Sequence, residues 1–310
     1  MTFLRLFAAG SDVTIRPLPF LRPGIPMLRF LFLALCVIVL LPHGAPAHAG
    51  DGGAAEHEAR AHQAMNLEPP DWVLAREQFE HAAAGGSARA ASYLGWMYEN
   101  GHGVPPDHRL AAQWYERTAR AGVPDYAVKL GWMYMGGSQL PADRERAEYW
   151  FGEAITAGHL PANIALASVL IADALGGLAP ERVFEARPLL EQALDGGLPL
   201  AAFFLARLYV EGIGGHPRDE VLGARYTRIS AEDGQALMQG WLARMYLTGS
   251  GVPEDRQEAA FWAALAAAGD DPLGRQLHAA LSQELDDDSR RAVLERTMRW
   301  VLQRQPGAVD

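Results

Sequence analysis

A proline recurs at Pro69, Pro105, Pro141, Pro180, Pro217 and Pro253, in steps of 36, 36, 39, 37 and 36 residues. Two residues after five of these six prolines stands an aspartate: Asp71, Asp107, Asp143, Asp219 and Asp255. A period of this size marks an array in which one supersecondary unit is repeated and stacked. Such a chain adds units to a continuous core, so its 310 residues need not close around one centre.

The clearest unit spans 88–122. Ala90, Leu94, Met97 and Tyr98 fall at helical spacing and predict a first amphipathic helix. Asn100-Gly101-His102-Gly103 ends it, because Gly and Asn accept the left-handed backbone of a helix terminus. Pro105 and Pro106 keep the following loop extended. Asp107 is placed to cap a second helix, where its carboxylate accepts from orphan N–H groups and faces the positive end of the helix. Ala111, Trp114, Tyr115 and Thr118 form the apolar face of that helix, and Gly122 ends it.

The same grammar returns in columns. Leu94, Leu130, Leu166, Leu205 and Leu242 share one; Tyr98, Tyr134, Leu170, Tyr209 and Tyr246 share another. A small-residue column runs Ala111, Ala147, Ala186, Gly223, Ala259, and a large one runs Trp114, Trp150, Leu189, Tyr226, Trp262. Small residues let helices approach closely, and the large column is expected to fill the space between repeats. Second helices are expected to end at Gly86, Gly122, Gly158, Gly197, Gly234 and Gly269.

The pattern Leu-Gly-x-x-Tyr-x-x-Gly-x-Gly-Val-x-x-Asp, then Ala-x-x-Trp-Tyr and a closing Ala-x-x-Gly, resembles the Sel1-like repeat, a relative of the tetratricopeptide repeat. The resemblance covers 56–270 and is weakest at 161–197, where Arg182 replaces the capping aspartate and Pro188 lies inside the second helix. It implies an all-α, right-handed superhelical solenoid of about six Sel1-like helix pairs over 50–270, with C-terminal capping helices over 271–310. The fourth repeat is expected to carry a bend, an irregularity or a specialised contact. Asp286-Asp287-Asp288-Ser289 divides the closing helices, with Ser289 or Asp288 as the expected cap; the run lacks the glycine and terminal glutamate of a calcium loop.

Formal net charge is −10; residues 1–49 contribute +3 and the remainder −13. That balance disfavours nucleic acid, whose binding needs basic stripes, and an anionic membrane surface. The single cysteine, Cys36, lies in an apolar run over 30–41, so thiolate zinc sites, disulfides and thiol nucleophiles are excluded from the rest of the chain. Arg29, that run, Pro42 and Ala47-His48-Ala49 read as a signal peptide over 27–49. As a helix the run spans ~18 Å against ~30 Å of bilayer hydrocarbon, too short for a stable membrane span. Residues 1–26 read as an upstream extension, with Met27 as the start of translation. The expected location is periplasmic or secreted; the alternative is an inner-membrane signal anchor.

No nucleophile constellation, zinc motif or phosphate loop is present, and the histidines are scattered. No catalytic residue, metal or cofactor is expected. The resemblance implies a non-catalytic protein-interaction scaffold or adaptor, with the first helices lining the concave face. On that face two columns depart from the core pattern: Tyr93, Lys129, Ala165, Phe204, Trp241 and Trp96, Trp132, Ser168, Arg207, Arg244. Positions three apart share a helix face, and aromatic and arginine side chains are the usual anchors of interfaces. Tyr93, Trp96, Lys129, Trp132, Arg207, Trp241 and Arg244 are therefore the candidate partner-binding residues. Their ligand is expected to be a protein or extended peptide, acidic in character, with a glycan as the next option. The rival class, also suggested by resemblance, is an enzyme acting on cell-wall or β-lactam substrates; the relatives that suggest it carry paired cysteines, which this chain lacks. Mass spectrometry of the exported protein should find Gly50 at its N-terminus; an intact apolar run would instead mark a membrane anchor.

Overall fold

A computed structural model describes residues 52–136 and 140–304. The expected signal peptide, its cleavage after Ala49 and the Met27 start lie outside them. Fourteen α-helices and two short 3-10 turns make up the described residues, which include no strand. Six helix pairs follow one another: α1 (Gly52–Met65) with α2 (Trp72–Ala84), α3 (Ala88–Asn100) with α4 (His108–Arg120), α5 (Pro124–Gly136) with α6 (Arg144–Thr156), α7 (Leu160–Gly176) with α8 (Val183–Asp195), α9 (Leu200–Glu211) with α10 (Glu220–Glu232), and α11 (Ala236–Thr248) with α12 (Arg256–Ala268). Each helix packs on the one before and the one after, which is the stacking of an all-α solenoid.

All five ladder aspartates are N-caps. Their carboxylates accept from backbone N–H groups two or three residues on, for example Asp107 Oδ1 from Leu110 at 3.0 Å and Asp219 Oδ1 from Leu222 at 2.9 Å. Each aspartate also closes its loop. Its own N–H donates back to the first helix, Asp107 to the Tyr98 carbonyl at 2.8 Å and Asp255 to the Tyr246 carbonyl at 2.9 Å. One residue thus starts the second helix and ties it to the first.

Glycines at positive φ end the second helices at Gly86, Gly122, Gly158, Gly197 and Gly234. In the sixth repeat the expected Gly269 is not that residue: it sits at φ −86°, and Asp270 takes the left-handed position at φ 66°. The true register places Asp270 36 residues after Gly234.

The large column is buried at Trp150, Tyr226 and Trp262, and Trp150 packs into a core shared by neighbouring repeats, as expected; the column one position on is sealed more completely. Trp114 and Leu189 are only half-buried, whereas the next residue in each repeat is sealed: Phe79, Tyr115, Phe151, Leu190, Thr227 and Ala263 are all at or below 1% exposure. The first helix answers this column by size. A Cβ on Gly95 would come within 2.6 Å of Tyr115 Cδ1, and one on Gly131 within 2.7 Å of Phe151 Cδ1. Real Cβ atoms do not approach so closely, so glycine is what lets the ring seat against the helix backbone. Where the second helix carries Leu190, Thr227 or Ala263, the matching first-helix residues are Ala167, Ala206 and Ala243.

The fourth repeat does break the pattern. Its proline step is three residues longer, α7 runs to 17 residues against 13 in α3 and α5, and the 3-10 turn Pro180–Arg182 leads into α8. No side chain caps α8. The lost cap is replaced by charge. Arg182 donates from Nη1 to Glu148 Oε1 at 2.8 Å and also pairs with Glu185. Arg144 donates to Glu148 at 2.9 Å and grips the buried Asp173 with both terminal nitrogens. The network bridges the third and fourth repeats, so the expected weak link is an ionically reinforced junction.

Helix α13 (Pro272–Glu284) packs on α12 and α11 as the next first helix would, capped by the buried Asp271. Helix α14 (Asp287–Gln303) turns back onto α12. Its cap is Asp286, which accepts from Ser289 N–H at 2.7 Å, in place of the expected Ser289 or Asp288. No side chain of α14 is fully buried; Arg296 holds Glu258 and lies 3.8 Å over the Phe261 ring.

The Arg182 guanidinium holds the Glu148 carboxyl below its usual range, with Arg144 adding to the effect against desolvation. A carboxylate depressed in the folded state stabilises above its unfolded pKa, and that stability is lost as pH falls through the folded value. Glu148→Gln should therefore cost about 1 kcal/mol at neutral pH in denaturant titrations. The gap from wild type should close in acid; a gap independent of pH would contradict the network.

Candidate partner-binding face

First helices meet one another as well as the second helices, α5 with α7, α7 with α9 and α11 with α13. Flanked on several sides, they leave little of themselves uncovered. In α3, α5, α7, α9 and α11, Arg244 is the one exposed side chain away from the helix ends.

The seven candidates divide by what already holds them. Tyr93 stacks on Phe79 with centroids 4.7 Å apart and meets the edge of His62 at 4.8 Å; burial raises its phenol pKa. Trp96 belongs to a three-ring cluster, 4.2 Å from His102 and 5.9 Å from Trp72, while His102 stacks on Trp72 at 4.6 Å. Trp132 meets the edge of Phe151 at 5.2 Å. These three rings are half-buried and join repeats as well as presenting an edge to solvent.

Lys129 and Arg207 are cations with partners. Lys129 donates to Glu99 Oε2 at 2.7 Å, and the same oxygen accepts from Tyr115 Oη at 2.7 Å. The ammonium also lies 4.6 Å from the Tyr115 ring centroid. Burial first, and then the Glu99 carboxylate, push the Tyr115 phenol pKa far up, so it remains a donor. Arg207 is 7% exposed and is gripped by Glu211 one turn on, at 2.7 and 3.0 Å. At Arg244 the residue one turn on is Thr248, whose hydroxyl bonds the Arg244 carbonyl. The Arg244 guanidinium is left without an ion-pair or hydrogen-bond partner among the described residues. Trp241, three residues before it, is half-buried on the same face.

Trp72 and His102 are not among the seven candidate binding residues, although His102 stands between Gly101 and Gly103 and Trp72 directly follows the cap Asp71. A Cβ on Gly103 would lie 2.7 Å from Trp72 Cβ, so the bare loop glycine is what brings His102 down onto the indole. Among the described residues, no three His, Cys, Asp or Glu side chains come together as a metal-binding group. No described helix is long and apolar enough to cross a membrane.

The family model for the Sel1 repeat matches residues 88–123, 124–159, 199–235 and 236–271. It passes over the fourth helix pair, the one that lost its capping aspartate. No curated protein matches the sequence. Among solved structures, the chain is similar to c5321, a protective antigen present in uropathogenic Escherichia coli strains that displays an SLR fold, with TM-score 0.65 and 22% identity over 82% of this chain. The chain spans about half, 54%, of that protein's length. It is also similar to a Sel1 repeat protein from Oxalobacter formigenes, with TM-score 0.55 and 21% identity over 81% of this chain and 98% of that one. At these identities the likeness is one of fold. Outside the fourth repeat, the columns, caps and stacking agree with it, and with four matched repeats the chain is a Sel1-repeat protein.

Proposed function

We propose that this protein is a non-catalytic adaptor of the bacterial cell envelope that takes an extended, acidic segment of a partner protein along its first-helix face. Sel1 repeats commonly serve protein–protein interaction, and a solenoid offers a long surface built from equivalent positions. One observation carries the reading: Arg244 is exposed on an otherwise covered set of first helices and has no carboxylate of its own, while the equivalent Arg207 is neutralised by Glu211. A desolvated arginine beside an aromatic ring is a common interface anchor, and Trp241 supplies the ring. A carboxylate of the partner does at Arg244 what Glu211 does at Arg207. Half-buried Trp96 and Trp132 extend the face toward the N-terminal repeats.

The probe is a labelled acidic peptide selected from a random library against the protein. Arg244→Glu should weaken its binding at least ten-fold, about 1.4 kcal/mol, and the wild-type affinity should fall with added salt. Equal affinity for wild type and Arg244→Glu, at any salt, would overturn the reading.

A further inference from the structure

A recess lies between the successive second helices α4 and α6, at the start of α5. Its volume is about 270 Å³. Tyr149, Trp150 and Glu153 of α6 form one wall, Arg120 at the end of α4 forms the other, and Pro124 and Ala127 at the start of α5 lie between them. Pockets for whole small molecules begin near 300 Å³, so this space suits one side chain rather than a cofactor.

Its chemistry is uneven. Arg120 is committed: it pairs with Glu116 at 2.6 Å and leans over the Trp150 ring at 5.9 Å. Glu153 is exposed, and its carboxylate has no partner among the described residues. Tyr149 is 52% exposed, its ring set edge-on to Trp150 at 5.1 Å. The positive end of α5 does not call for an anion, because Asp125 already stands in its first turn and faces His159 at 3.6 Å. What remains unanswered is one carboxylate beside one open aromatic face.

The arrangement belongs to the third repeat alone. In register, Tyr149 is matched by Gln113, Pro188, Arg225 and Phe261, and Glu153 by Arg117, Gln192, Ile229 and Leu265. Stacking accounts for the columns that recur; it has no use for an exposed tyrosine and a free glutamate one turn apart.

We infer that this recess is a second contact site, one that receives a cationic side chain, arginine above lysine, from a protein partner. The guanidinium lies against the Tyr149 ring and pairs with Glu153, and its flat apolar faces suit the small-residue floor. The −13 charge of the chain beyond residue 49 draws such a group in. The inference rests on the adaptor reading but uses different residues and the opposite charge.

The test titrates the peptides acetyl-Gly-Arg-Gly-amide and acetyl-Gly-Glu-Gly-amide into labelled protein and follows amide and aromatic NMR shifts. The arginine peptide should move the signals of Tyr149, Trp150 and Glu153 with saturation, and the glutamate peptide should not. Glu153→Gln and Tyr149→Ala should each weaken the arginine peptide three-fold or more, whereas Arg244→Glu should leave it unchanged. Shifts elsewhere only, or equal affinity in Glu153→Gln, overturn the recess while the first-helix face stands. Because both substitutions are at solvent-facing atoms, an unchanged thermal midpoint separates a lost site from a lost fold.

Discussion

Everything in this solenoid depends on how closely two helices of one repeat can approach. Gly95 and Gly131 remove the Cβ that would collide with the rings of Tyr115 and Phe151. The rings then lie flush on the first helix, where dispersion contacts are many and water is excluded. Toward the C-terminus the same pair shrinks on one side and grows on the other, to Ala167 with Leu190, Ala206 with Thr227 and Ala243 with Ala263. A stack of this kind needs constant spacing, because an error in one pair is passed to the next interface.

Two of the inter-repeat ties build on that packing. Where the ring is a tyrosine, its hydroxyl reaches Glu99, and Glu99 in turn takes Lys129 of the next repeat. At the following junction, Arg144, Glu148, Asp173 and Arg182 do the equivalent work with charges alone. Both arrangements tie a second helix to a neighbouring repeat, and both consume side chains that would otherwise be free to bind. That consumption is what narrows the candidate face. A cation of the solenoid is available to a partner only where the local sequence fails to supply a carboxylate, as Thr248 fails at Arg244.

Much of this is legible in the chain. The proline–aspartate period yields the number of pairs, and the cap geometry follows from residue type and place. Finer matters are lost for identifiable reasons. Trp114 and Tyr115 are adjacent and both aromatic, and a period of 3.6 cannot say which one faces the partner helix. Gly269 draws the helix end toward itself because glycine is the expected residue, yet Asp270 also tolerates the left-handed region. The ion network of the fourth repeat joins residues 29 and 34 positions apart, beyond any local pattern. Within the candidate site, the i+4 residues Glu211 and Thr248 stand in the sequence and separate Arg207 from Arg244. The burial of Lys129 against Tyr115 does not, since it needs the stacked neighbour.

A double-mutant cycle on Gly95 and Tyr115 tests the central claim, with Gly152→Ala as the reference. No heavy atom would lie within 4 Å of a Cβ on the helical Gly152, so that substitution should stabilise by up to about 1 kcal/mol through helix propensity. Gly95→Ala should instead destabilise by about 1–3 kcal/mol through overpacking against the ring. Tyr115→Leu should cost a similar amount alone, and combining it with Gly95→Ala should recover more than about 1 kcal/mol of the summed loss. Additive losses, or a stabilising Gly95→Ala, would contradict the size-matched pair on which the stacking depends.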